Sequence, residues 1–232
     1  MQFFIIVLIV SLVLFLFRLY HLAVDDYVLT KKNITLDDIF NVAFIASLIS
    51  LFFSRAFFVF ANPSNVFMNP LGFLLFPYFP GLSLTGGIIG GILALFLLGR
   101  KKKFPIGRVF DFFALSLVFV LPVGFVGYFF LSQDITAGNF IKLALYVLIF
   151  FVSNIYLYPK ASSLEIKDGT ISGLFLVFFS LISLLGRAVD NPGVSYFISH
   201  KENFILLFIL LFSTSFILKQ EIVGRLSFKN GK

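Results

Sequence analysis

The chain has no cysteine, no tryptophan and only two histidines, and charged residues make up 12% of its 232 positions. Each shortage excludes something. Without cysteine there is no disulfide framework and no thiol nucleophile. His21 and His200 alone give no metal-ligand pattern, so neither a metal nor a cofactor is expected. A soluble domain carries about 25% charged residues, and a chain this poor in charge would expose large apolar patches in water. What the sequence does contain is apolar: 59% hydrophobic residues, 36 of them Phe, with a mean hydropathy of +1.04. That balance excludes a soluble enzyme, a disordered tail and a disulfide scaffold, and it places the chain in a bilayer.

A bilayer core takes about 20 apolar residues as helix. Seven runs qualify or come close, at 3–24, 38–60, 81–98, 109–131, 140–158, 171–186 and 204–218. Spanning β-strands would be shorter and would alternate in polarity, so the fold class is all-α. The expectation is a polytopic protein in which one membrane domain fills residues 1–232. The first run lacks a basic start and a small-residue cleavage site, and reads as a retained span. The last two runs are short, roughly 24 Å at 1.5 Å per residue, and would need local thinning of the bilayer.

The net charge of +7 could suggest nucleic acid, but its distribution points elsewhere. Lys31, Lys32, Arg100, Lys101, Lys102, Lys103, Arg108, Lys160, Lys167, Lys219, Arg225, Lys229 and Lys232 fall on one side of the seven spans. Only Lys142, Arg187 and Lys201 fall on the other, with Arg18 and Arg55 inside spans. The asymmetry predicts an N-terminus outside and a cytoplasmic C-terminus, with anionic lipid heads attracted to the basic side. Nucleic acid is not an expected partner.

Ionisable groups inside a membrane are costly and mark function. Arg55 lies about five residues from the outer end of its span, where it either snorkels or contacts a phosphate or carboxylate. Asp111 opens the fourth span, where it suits the helix dipole and could pair with Arg108. Gly86/Gly90 and Gly87/Gly91 are small-xxx-small pairs that let helices approach. The same segment is a helix start whose free N–H groups could hold a phosphate. Gly124 and Gly127 suggest close packing or a kink. The uncharged segment 61–80, rich in Pro and aromatics, should lie in the outer interface or re-enter from it. Arg55, Thr85, Gln133, Asp134 and Arg187 are all expected at the outer face, and His200 reads as an outer surface residue.

The order of these motifs resembles the prolipoprotein diacylglyceryl transferase family. Lys31–Asp38 is similar to its basic inner loop, and Ser54-Arg55-Ala56-Phe57-Phe58 falls where the family has G-A-R-L-x-Y. Gly81-Leu82-Ser83-Leu84-Thr85-Gly86-Gly87 resembles G-M-S-F-H-G-G, and Lys102–Asp111 resembles R-R-x-x-L-P-x-x-R-x-x-D. The resemblance runs from about Lys31 to Gly127. It implies a seven-span bacterial inner-membrane enzyme that moves diacylglyceryl from phosphatidylglycerol to the lipobox Cys of a preprolipoprotein, with glycerol phosphate leaving. It also implies a phosphate clamp from Arg55, Arg187, Gly86 and Gly87, and structural roles for Asp111, Gly124 and Gly127.

The departures fall on the chemistry. Thr85 stands at the family's His position, Phe125 at its signature Arg, Tyr128 at Asn and Gln133 at Glu. No general base is identified. Two other readings therefore stand beside the transferase. One is a non-catalytic relative that keeps a lipid-binding scaffold. The other is a small transporter, against which no internal repeat is visible.

Overall fold

The computed structural model describes residues 2–64, 67, 72–73, 81–131 and 136–223. The elements are α1 (Gln2–Ala23), α2 (Tyr27–Lys31), α3 (Leu36–Ala61), α4 (Leu84–Lys101), α5 (Ile106–Leu131), α6 (Ala137–Val152), α7 (Tyr158–Ser162), α8 (Thr170–Asp190), α9 (Val194–Ser199) and α10 (Lys201–Ile217). A π-helical turn, Ser153–Leu157, joins α6 to α7, and a second, Leu218–Val223, follows α10. No strand occurs among the described residues. Seven helical stretches among the described residues are long and apolar enough to cross a membrane, and the protein is a multi-pass membrane protein.

The helix ends differ from the apolar runs in informative places. α4 begins at Leu84, three residues later than the run, because Ser83 is its N-cap and accepts from the Gly86 amide at 3.2 Å. Gly81, just before it, has φ of +152°. The sixth and seventh spans are not short: they cover Thr170–Asp190 and Lys201–Glu221, 21 residues each, or about 31 Å. The apolar runs stop short of Arg187 and begin only after Glu202. The helices continue through these charges because Arg187 and Glu202 pair with one another. The fifth span runs from Ala137 to Ser162. Its π turn precedes Pro159, which has no N–H to donate and whose ring crowds the carbonyl four residues back.

The chain divides into two compact units, 1–106 and 107–232. In the first, α3 and α4 pack along one another. A Cβ on Gly86 would stand 2.5 Å from Phe57 Cβ, and one on Gly90 2.5 Å from Phe53 Cβ. The pair Gly86/Gly90 thus lets two backbones meet. Leu19, Ile39, Val42 and Ala43 form the buried centre where α1 meets α3. Thr35 caps α3 as its sequence implies, accepting from the Asp38 amide at 3.2 Å. Lys102 Nζ then reaches Asp38 Oδ1 at 2.6 Å, tying the end of α4 to the start of α3.

The second unit is held by helix ends capped from other helices. Asp111 of α5 is 2% exposed. Its Oδ2 accepts from the Gly169 amide and its Oδ1 from the Ser172 amide, both at 2.7 Å, at the start of α8. The expected Arg108–Asp111 pair is therefore corrected: the carboxylate satisfies a distant helix start, whose orphan N–H groups need an acceptor. Arg108 Nη1 donates instead to Ala161 O at 2.8 Å and faces Asp168 at 3.4 Å. Gly107 is needed there, since a Cβ would lie 2.8 Å from the Asp168 carbonyl. Asp190, at the other end of α8, accepts from the Gly138 amide at 2.8 Å and the Thr136 hydroxyl at 3.0 Å, capping α6.

Candidate functional site

The first unit builds a buried cationic site from three short polar contacts and one arginine. Ser54 Oγ donates to Ser83 O at 2.8 Å, and the Ser83 amide donates to Ser54 O at 3.0 Å. Ser50 Oγ donates to Gly87 O at 2.6 Å. These bonds fix the first turns of α4 against α3. Arg55, one residue beyond Ser54, is 2% exposed. It donates from Nε to Phe73 O at 3.0 Å, from Nη1 to Gly81 O at 2.9 Å and from Nη2 to Gly72 O at 2.9 Å. The guanidinium also lies 4.9 Å from the centre of the Phe67 ring.

Arg55 thus does not snorkel. It is enclosed by backbone carbonyls, and three of its five N–H groups are engaged with them. Among the described residues no carboxylate stands within ion-pair distance of it. An arginine stays protonated even here. Thr85, Gly86 and Gly87 are all buried on the adjoining turn of α4. Arg55, Ser83, Thr85, Gly86 and Gly87 are therefore brought together. The Ser50, Ser54 and Ser83 hydroxyls were not singled out in the sequence, although short hydroxyl side chains in an apolar helix pair are a readable sign of interhelical bonding. The carbonyls of residues 72, 73 and 81 left no side-chain signal at all.

In the second unit Arg187 has partners of its own. Its guanidinium is ion-paired with Glu202, and Nη1 donates to Asn203 Oδ1 at 3.1 Å. Asn203 is fully buried and passes the contact on to Phe197 O at 3.0 Å. Asp111 acts as the cap described above. A Cβ at Gly124 would meet nothing within 4 Å, so close packing does not account for that glycine. Gly127 is buried, and Pro122 lies inside the continuous helix α5, where it withholds one N–H from the ladder. Phe125 stacks on the buried Tyr146 with ring centres 5.3 Å apart. Gln133 and Asp134 lie outside the described residues. His200 is exposed, its ring tilted against that of Tyr196 with centres 3.8 Å apart. No cluster of three metal-binding side chains occurs among the described residues.

Fold and site together define a multi-pass helical membrane protein with a buried, carbonyl-caged arginine beside a glycine-rich helix start. Residues 1–139 match the family described as prolipoprotein diacylglyceryl transferase, and the chain belongs to that family. The phosphatidylglycerol–prolipoprotein diacylglyceryl transferase of Rickettsia rickettsii (strain Sheila Smith) is 32% identical over 161 residues, covering 69% of this chain and 56% of that protein. The protein of the same name from Clostridium novyi (strain NT) is 23% identical over 220 residues, 85% of each chain. That from Clostridium tetani (strain Massachusetts / E88) is 25% identical over 154 residues, 65% of this chain and 60% of the relative. The chain thus spans little more than half the length of the Rickettsia relative it matches.

Proposed function

We propose that the protein is a divergent diacylglyceryl transferase of the bacterial inner membrane, acting on phosphatidylglycerol and a preprolipoprotein. The observation that carries this reading, beside the family membership, is Arg55: a buried guanidinium held by neutral carbonyls without a carboxylate among the described residues. A buried charge is costly unless it is paired, and an anionic lipid phosphate would supply the missing charge. With two N–H groups left over, Arg55 can hold a phosphate oxygen and keep its carbonyl cage. The buried N-terminal turn of α4, with Gly86 and Gly87, adds the positive end of a helix dipole.

In this reading the thirteen-to-three bias of Lys and Arg puts the N-terminus outside and the C-terminus in the cytoplasm. The site then faces the leaflet to which secreted lipoproteins are delivered. The thiolate of the acceptor Cys would displace glycerol phosphate from the diacylglyceryl carbon, and the clamp would stabilise the departing phosphate charge.

A second reading is favoured by Thr85, Phe125 and Gln133, which replace the family's His, Arg and Glu. In it the scaffold holds phosphatidylglycerol without turning it over. One experiment separates the two. The chain is expressed in cells depleted of their own transferase, and lipoproteins are examined for the diacylglyceryl group. Its appearance, and its loss with Arg55→Met, supports the enzyme. Absence with well-expressed protein removes the enzyme reading, and phosphatidylglycerol retained through purification then identifies the lipid-binding relative.

A further inference from the structure

We infer that Lys142 is a phosphate-binding residue of the second unit. Lys142 sits on α6, five residues past its start at Ala137, within a stretch apolar enough to cross a membrane. Its stem lies across Gly186 of α8. A Cβ at 186 would overlap Lys142 Cε and come within 2.9 Å of its Cγ. Gly186 thus provides a notch that directs the side chain, and side chains of a helix lean toward its N-terminus. The ammonium accordingly runs back along α6 to Asn139, where Nζ donates to Oδ1 at 3.0 Å. It ends near the start of the span, the depth at which lipid phosphates lie.

The charge on Lys142 is not consumed there. Its hydrogen-bond partner is a neutral amide, and an ammonium has three donors. Among the described residues no carboxylate stands within ion-pair distance of it. Asp190 divides its oxygens between the Gly138 amide and the Thr136 hydroxyl at the positive end of α6. Glu202 is paired with Arg187. A half-buried cation with donors to spare, held in place by a glycine notch, suits a phosphate oxygen. Two ligands share that chemistry: the headgroup phosphate of an anionic phospholipid, and free glycerol phosphate.

The test uses the full chain in detergent micelles and native mass spectrometry, titrating phosphatidylglycerol in one arm and glycerol phosphate in the other. Lys142→Met should weaken binding in at least one arm by about 10- to 100-fold, the loss of one charge-assisted hydrogen bond. Lys142→Arg should restore it to within a few fold. A change confined to the lipid arm assigns the site to a headgroup, and a change in the glycerol phosphate arm assigns it to the free ligand. Lys142→Gln, polar and uncharged, replaces the Met variant if that one does not fold. Unchanged binding in both arms overturns the inference. Arg55→Met is measured in parallel: if it binds normally while Lys142→Met does not, the Arg55 clamp falls and the Lys142 site stands.

Discussion

Asp111 and Ser172 are joined by a 2.7 Å hydrogen bond in which a carboxylate on α5 accepts the third amide of α8. With the Gly169 amide on its other oxygen, one aspartate does for α8 what a local N-cap does elsewhere. Gly169, the residue at the cap position, has no side chain to do it, and its φ of +96° needs glycine. Asp111→Ala should leave two buried amides unpaired and cost about 2–4 kcal/mol. Asp111→Asn keeps one acceptor and should cost less. Thermal melting of the purified protein, followed by loss of the monodisperse gel-filtration peak, orders the two.

The glycines of α4 should divide by what lies opposite them. Gly86→Leu and Gly90→Leu would drive a side chain into Phe57 or Phe53, at a cost of about 1–3 kcal/mol or more. At Gly91 the first atom met is Ser50 Oγ at 3.7 Å, ordinary contact, so Gly91→Ala should be neutral or stabilising. Yield of folded protein across the three variants checks the contrast.

Arg55→Lys keeps the charge but not the fork. A lysine cannot serve three carbonyls held by three separate guanidinium nitrogens. The variant should lose about 2 kcal/mol of stability and nearly all of the lipoprotein modification that the proposed transferase activity predicts. Melting and the complementation assay read these two effects separately.

The Arg187–Glu202 pair should behave as a coupled unit. Removing either partner leaves a half-buried charge, with an expected cost of about 2–4 kcal/mol each. Removing both, as Arg187→Leu with Glu202→Leu, should cost less than the sum by about 1–3 kcal/mol. Strict additivity in a double-mutant cycle would show that the contact carries no coupling.

The seven spans were legible because long apolar runs have few alternatives in a bilayer. The cap at Thr35 and the packing glycines at 86 and 90 were legible because their signals are local. What escaped was long-range. Arg108 and Asp111 are three residues apart and look like a pair, yet Asp111 satisfies amides some sixty positions away. The sixth and seventh runs looked short because Arg187 and Glu202 read as ends, when each supplies the other's counter-charge. Arg55 stood out as an intramembrane cation, but its partners are main-chain carbonyls that no side chain announces.

The cap on α6 has a consequence for biosynthesis. Its acceptor, Asp190, lies 52 residues downstream of the Gly138 amide it satisfies. When α6 leaves the ribosome and enters the bilayer, that carboxylate has not yet been translated. α8 is in the opposite position, since Asp111 is already in place when Gly169 appears. The two caps of the second unit thus form in opposite order along the chain: the partner of α8 is made before it, whereas α6 starts with only its own Thr136 cap on the Asn139 amide, and its Gly138 amide stays open until the far end of α8 has been made.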